Sequence, residues 1–258
     1  MSTTVTTKVK TWPLSEVFGP TIQGEGPDAG RPCYFIRLGG CDYQHCSWCD
    51  TLFSVLPEEV RKLKRKSADE IVGELCALQD GPSMVVLSGG NPAMHDLTPL
   101  VKELHALHFS IAVETQGSRW QNWLTEIERL VISPKPPSSG MTSTDHDAQT
   151  RNFMQKVENW CMPTPYEMAW AALKIVVFDQ KDYEWALAFS ARYSWAPLYL
   201  SVGTPQIQMT YGQDEYATGY ILRRFAWLAD KAATDPRAQH AKVLPQLHVL
   251  AFGTGRGV

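Results

Sequence analysis

Short apolar runs alternate along this chain with stretches whose apolar residues recur at helical spacing, and this rhythm constrains the fold more than any other feature. Tyr34–Leu38, Met84–Ser88, Ile111–Glu114, Leu130–Ser133, Leu173–Phe178, Leu198–Val202 and Leu247–Phe252 read as strands. Several are rich in Val and Ile, as strands buried on both faces are. Between them, Ser67–Gln79 opens with Ser67-Ala68-Asp69-Glu70, a capping-box pattern, and repeats Ile71, Leu75 and Leu78 at helical spacing. Leu97–Leu107, Asp182–Tyr193 and Glu215–Ala233 read as helices too. Strand and helix in alternation build a parallel sheet with crossover helices. About six such units fall short of the closed eight-fold barrel. The expected fold is therefore α/β, a partial and open (β/α)6-type barrel in a single domain.

Two segments interrupt the rhythm. Pro134–Asn159 begins as a Pro- and Ser-rich loop and leads into a helix around Gln149–Trp160. Val202–Leu247 holds one long helix and a polar stretch, Thr234–Lys242. Loops of this length inside a compact domain usually serve function.

Composition narrows the classes. With 44% hydrophobic residues in 258, the chain can build a substantial core. A formal charge of −3 gives no basic excess of the kind nucleic-acid binding needs. No apolar run reaches the ~18 residues of a membrane span, and Met1–Lys10 is polar and Thr-rich, unlike a signal peptide. A cytoplasmic protein is expected. Four of the six cysteines, Cys33, Cys41, Cys46 and Cys49, fall close together. In a reducing compartment that points to metal or redox chemistry before disulfides.

The central motif is Gly39-Gly40-Cys41 to Cys46-Ser47-Trp48-Cys49-Asp50-Thr51, with four residues between the first two cysteines and two between the last two. It follows the first predicted strand. Three thiolates on one loop can hold an iron–sulfur cluster with one iron left open. They can hold zinc if His45 supplies a fourth ligand, or they can remain unligated.

The motif resembles that of the radical S-adenosylmethionine (SAM) superfamily. A second signature, Ser88-Gly89-Gly90-Asn91-Pro92, stands at the end of the second predicted strand and is similar to the superfamily's Gly-Gly-Glu-Pro element. Further segments resemble one family, the 7-carboxy-7-deazaguanine synthases of queuosine biosynthesis. They are Phe18 to Ile22-Gln23-Gly24-Glu25-Gly26, Phe35 to Cys41, Val113-Glu114-Thr115-Gln116-Gly117, Ile132-Ser133-Pro134-Lys135 to Met141, and Leu244 to Val258.

The resemblance implies residue roles. Cys41, Cys46 and Cys49 would hold a 4Fe-4S cluster whose open iron binds SAM. Trp48, Cys49, Asp50, Gly90, Glu114, Ser133, Pro134 and Lys135 would contact SAM, as would Ser201 to Thr204. Ile22, Gln23 and Gly24 would read the edge of 6-carboxy-5,6,7,8-tetrahydropterin. Arg37 would meet its carboxylate, because a guanidinium fork matches one, although a structural ion pair is the other reading of a charged residue in that strand. Ser88 and the C-terminal Gln246, His248 and Val258 complete the substrate set, although His248 by itself reads as an ordinary strand histidine. Thr51 would be the single protein ligand of Mg²⁺; without the resemblance, Asp50-Thr51 reads as a turn or cap.

A deoxyadenosyl radical from SAM would start the contraction of the pterin ring, and ammonia would leave. The resemblance also implies an electron donor such as flavodoxin and a homodimer. A flavodoxin could dock on Arg61–Lys66, a basic run whose simpler reading is a solvated face. A zinc module, and a radical SAM activase of another class, are the alternatives.

The chain departs from the superfamily pattern in two places. One residue more than usual separates Cys41 from Cys46, and Asn91 replaces the usual Glu. Cys33 stands at the wrong end of its strand to be a ligand. Cys76 is expected as a buried thiol on the Ser67–Gln79 helix, and Cys161 has no evident partner.

Overall fold

The computed structural model describes residues 9–42, 45–141, 144–160, 170–204, 215–253 and 256–257. In chain order the elements are β1 (Trp12–Ile22), β2 (Pro32–Leu38), α1 (Leu52–Val55), α2 (Pro57–Val60), β3 (Arg65–Lys66), α3 (Ala68–Cys76), β4 (Met84–Gly89) and α4 (Thr98–Ala106). They continue as β5 (Ser110–Thr115), β6 (Arg129–Ile132), α5 (Thr144–Trp160), β7 (Ala171–Val177), α6 (Gln180–Ala191), β8 (Leu198–Val202), α7 (Glu215–Thr234), β9 (Lys242–Leu244) and α8 (Leu247–Phe252).

The strands form one sheet in the order β3-β1-β2-β4-β5-β6-β7-β8-β9. From β2 onward neighbours run parallel, while β1 lies antiparallel to both β2 and β3. The α/β class and the open parallel barrel are as expected, with an antiparallel edge added. The edges β3 and β9 are not bonded to each other, so the barrel stays open.

Its curvature shows in one ion pair. Five strand steps separate β1 from β7, about 24 Å in a flat sheet. Yet Glu25, just past β1, lies 2.9 Å from Lys174 on β7. The sheet must curl for these groups to meet, and the 23–31 loop plugs its interior.

Alternation along each strand sorts side chains between two faces. Tyr34, Ile36 and Leu38 of β2, Val85 and Leu87 of β4, and Ile175 and Val177 of β7 join the main core. The opposite parity faces the barrel interior, where Cys33, Phe35, Met84, Val86 and Ala112 make a small apolar layer. Toward the C-terminal strand ends the same parity turns polar, at Arg37, Ser88, Glu114 and Lys174. The crossover helices cover the outer face.

Helix α3 begins with the expected capping box: Glu70 N–H donates to Ser67 Oγ, and Ser67 N–H donates to Glu70 Oε2 at 2.7 Å. Ile71 and Leu75 are buried, but Cys76 is exposed, contrary to expectation. It falls about 100° round the helix from Leu75, beyond the buried stripe.

The last predicted strand, Leu247–Phe252, is helix α8. A six-residue apolar run carries no period that separates strand from helix. The last parallel strand is β9, which pairs with β8 and starts at Lys242, where the polar stretch ends. Strand β1 also goes unread from periodicity, because two register shifts break its alternation. Among the described residues no helix is long and apolar enough to cross a membrane.

Candidate active site

One cavity opens at the C-terminal ends of the parallel strands, and Cys41, Cys46 and Cys49 all line it. Cys46 is buried and the other two are half-buried. Cys49 N–H donates to Cys46 O at 3.0 Å, closing a tight turn. The 137–139 turn clamps this loop from outside: Ser47 N–H donates to Ser139 O (2.9 Å), and Trp48 Nε1 donates to Ser138 Oγ (3.0 Å). Trp48 packs against Phe178, with the Lys135 ammonium 5.7 Å from its ring. Burial raises the Cys49 pKa, while contacts from Thr51 partly offset it. Cys33 lies at the opposite strand end, fully buried, its thiol pushed up to about 12 chiefly by burial. It does not line the cavity.

Among the described residues no three Cys, His, Asp or Glu side chains are gathered closely enough for a single metal ion. Three thiolates from one loop line the same cavity, and soft thiolates suit iron–sulfur chemistry. His45 is exposed at the rim, which does not favour the zinc reading.

The two glycines at the end of β4, Gly89 and Gly90, serve a close chain crossing. A Cβ on Gly90 would lie 2.2 Å from Gly40 O and 3.0 Å from Cys41 Cβ. On Gly89, with φ +141°, it would lie 2.0 Å from Leu38 O. Only glycine lets the turn lie on the backbone that presents Cys41.

Below the cysteines the wall is polar. Arg37 and Ser88 are register partners on adjacent strands, so their side chains stand side by side. Arg37 Nε donates to Glu16 Oε1 at 2.7 Å, and its guanidinium lies over Phe18 and Phe53. The structural ion pair and the cavity position thus coexist. Ser88 Oγ is buried with no hydrogen-bond partner among the described residues, an acceptor and donor turned toward the cavity.

The floor is an ionic network that the sequence does not announce as a unit. Lys174 Nζ donates to Glu25 Oε2 (2.9 Å) and lies 3.5 Å from Glu114 Oε2. Gln23 Nε2 donates to Glu114 Oε1 (3.0 Å), and Gln246 Nε2 donates to Glu25 Oε1 (3.4 Å). Burial opposes ionisation of Glu25, but Lys174 and His248 overcome it and hold the pKa below the usual value. Burial likewise opposes the Lys174 charge, and Glu114 and Glu25 hold its pKa above the usual value.

Of the expected SAM and substrate contacts, Trp48, Cys49, Asp50, Gly90, Glu114, Ser133 and Lys135 line the cavity, with Ile22, Gln23, Arg37, Ser88, Thr51, Thr204, Gln246 and His248. Pro134, Ser201 and Gly24 stand off the wall. Ser201 is buried on β8 with its hydroxyl unpartnered among the described residues. Gly24 accepts a hydrogen bond from Leu247 N–H and packs so tightly on His248 that a Cβ would collide with it. His248 itself sits on a helix, not a strand. Val258 and Cys161 lie outside the described residues. Sequence reasoning missed Glu25 and Lys174. A lysine between apolar residues of one parity in Leu173–Val177 was the available signal.

An open parallel barrel with three cysteines after its first parallel strand and a Gly-Gly turn after the next is the arrangement of radical SAM enzymes. No family model matches the chain. Over 248 residues it is 39% identical to the 7-carboxy-7-deazaguanine synthase of Bacillus cereus, covering 95% of this chain and 98% of that one. The Bacillus subtilis protein of the same name is 38% identical over 250 residues, again 95% and 98%. The crystal structure of QueE from Escherichia coli superposes with a TM-score of 0.58 at 22% identity, covering 92% of this chain and 95% of that one. The chain belongs to the 7-carboxy-7-deazaguanine synthase family and is a radical SAM lyase of queuosine biosynthesis.

Proposed function

We propose that this cavity contracts the ring of 6-carboxy-5,6,7,8-tetrahydropterin to 7-carboxy-7-deazaguanine, as one radical SAM core domain. The observation that carries the reading is the shared wall: three thiolates above, Arg37 and the unpartnered Ser88 hydroxyl side by side below. The cluster with SAM supplies a deoxyadenosyl radical when bound; the protein supplies binding, orientation and exclusion of water.

Cys41, Cys46 and Cys49 would hold the cluster. Trp48, Asp50, Gly90, Ser133 and Lys135 surround the space beside it. Arg37, fixed by Glu16, presents its remaining N–H groups to the substrate carboxylate, with Ser88 adjacent. Ile22, Gln23 and Glu114, which line the cavity, receive the pterin edge. Thr51 Oγ1 lies 3.6 Å from Cys49 Sγ on the same wall. It is the hydroxyl available to Mg²⁺, a hard ion that accepts few protein ligands plus substrate oxygens. The reading carries with it an external one-electron donor such as flavodoxin, a homodimer and a cytoplasmic location.

Anaerobic reconstitution tests it. The protein should bind about four irons per chain and absorb broadly in the visible. With SAM, Mg²⁺, dithionite and the carboxy-tetrahydropterin it should form the deazaguanine, read by mass spectrometry. Cys46→Ala should be colourless and inactive, and Thr51→Val should lose stimulation by Mg²⁺. Colourless wild-type protein holding one zinc, lost on His45→Ala, would overturn the reading. Cleavage of SAM without ring contraction would point instead to another radical SAM class.

A further inference from the structure

Asn91, where the chain departs from the superfamily pattern, meets in space the residue that follows the first cysteine. Asp42 follows Cys41 directly, and its side chain is 1% exposed. Its carboxylate accepts four side-chain hydrogen bonds: from Asn91 Nδ2 (3.0 Å) and Gln116 Nε2 on Oδ1, and from Ser118 Oγ and Arg119 Nε (3.1 Å) on Oδ2. These donors come from the turn after β4 and the segment after β5. One buried anion thus ties the first cysteine to two strand ends.

Asn91 is equally committed. Nδ2 also donates to Ser118 Oγ (3.0 Å), while Oδ1 accepts from Thr115 Oγ1 (2.8 Å) and Ala93 N–H (3.2 Å). All four hydrogen-bonding positions of the amide are filled. The residue is 1% exposed and off the cavity wall, so its side chain has nothing left for a ligand. A carboxylate at position 91 would put an oxygen against Asp42 Oδ1 at about the distance the amide nitrogen now occupies.

We propose that Asp42 is a positioning residue that seats Cys41 for the cluster, and that Asn91 acts as its neutral partner rather than as a contact to SAM. The carboxylate in this corner stands on the cysteine loop, and the residue of the Gly-Gly turn is uncharged to match it. Asp42 spends its acceptors on the two strand ends, which holds the residue beside Cys41, and so the first thiolate, in one place.

The inference rests on the cluster reading above, and the experiment separates the two. Wild type, Asp42→Ala, Asn91→Asp and the swap Asp42→Asn/Asn91→Asp are reconstituted anaerobically. Cluster loss to a chelator is followed by visible absorption, and alkylation of Cys41, Cys46 and Cys49 in the iron-free proteins by mass spectrometry. Asp42→Ala and Asn91→Asp should lose the cluster about tenfold faster, the equivalent of one strong interaction. Cys41 should alkylate faster in both, with Cys46 and Cys49 unchanged. The swap restores one donor and one acceptor and should come within about threefold of wild type. A wild type that takes up no cluster would overturn the cluster reading and this inference with it. A wild type that does, beside an Asp42→Ala variant that retains cluster and shields Cys41 equally well, would overturn the inference alone. So would a swap no better than Asn91→Asp. Uniformly faster alkylation of all three cysteines would mark general loosening and also refute it.

Discussion

Replacing Lys174 with Met removes the buried cation from the barrel floor and leaves Glu25 and Glu114 facing each other without it. Lys174 is 6% exposed, so water cannot substitute for its ammonium without opening the floor. Breaking a buried ion pair by removing one partner costs about 3–5 kcal/mol. For a chain of this size each kcal/mol shifts Tm by roughly 2–4 °C, so thermal unfolding of the iron-free protein should fall by about 6–20 °C.

The pH dependence adds a sharper check. In the wild type burial opposes the Glu25 charge, but Lys174 and His248 hold its pKa below the ordinary value. That stabilisation is present above the unfolded pKa of about 4.3 and is lost as pH falls. Burial also opposes the Lys174 charge, and Glu114 and Glu25 raise its pKa. Its contribution is complete below the unfolded value of about 10.4 and fades only as pH rises through the folded one. In Lys174→Met, burial acts on Glu25 without its cation, so its pKa rises and acid relieves the variant. The gap between the two proteins should be widest near about pH 7 and narrow toward about pH 5. The isosteric set Glu25→Gln, Glu114→Gln, Lys174→Met should recover most of the loss. A Lys174→Met protein within about 1 kcal/mol of wild type, or a gap that does not change with pH, refutes the network as described.

Three further outcomes are expected. Arg37→Lys keeps the charge but loses the fork, and should raise KM for the pterin about 10- to 100-fold, from steady-state rates at saturating SAM; an unchanged KM would remove Arg37 from the substrate site. Gly90→Ala drives a Cβ onto Gly40 O and should cost about 1–3 kcal/mol by anaerobic denaturant titration, with visible absorption per chain falling in parallel. Ser67→Ala breaks the α3 capping box far from the cavity; it should cost about 1 kcal/mol and leave turnover unchanged, so a drop in kcat would show coupling the structure does not contain.

Local pattern carried much of this protein. The apolar runs from Tyr34 to Val202 are strands β2 and β4 to β8, because buried strands announce themselves by composition and length. The Ser67 cap announces α3 because the signal lies within four residues. Leu247–Phe252 failed because a short apolar run has no decisive period, and Cys76 failed because one residue of helix rotation separates buried from exposed.

The α/β class, three cysteines close together on one loop, and Arg37 and Ser88 as polar residues in apolar strands were all legible along the chain. These are properties of contiguous residues and of period-2 alternation. It takes the folded sheet to put Glu25, Glu114 and Lys174 on one floor, to lay the Gly-Gly turn on the backbone at Cys41, and to bring Asp42 within hydrogen-bond reach of Asn91. Residues 149 apart in sequence meet across the barrel only because the sheet curls, and curvature belongs to the whole set of strands and to no single one of them.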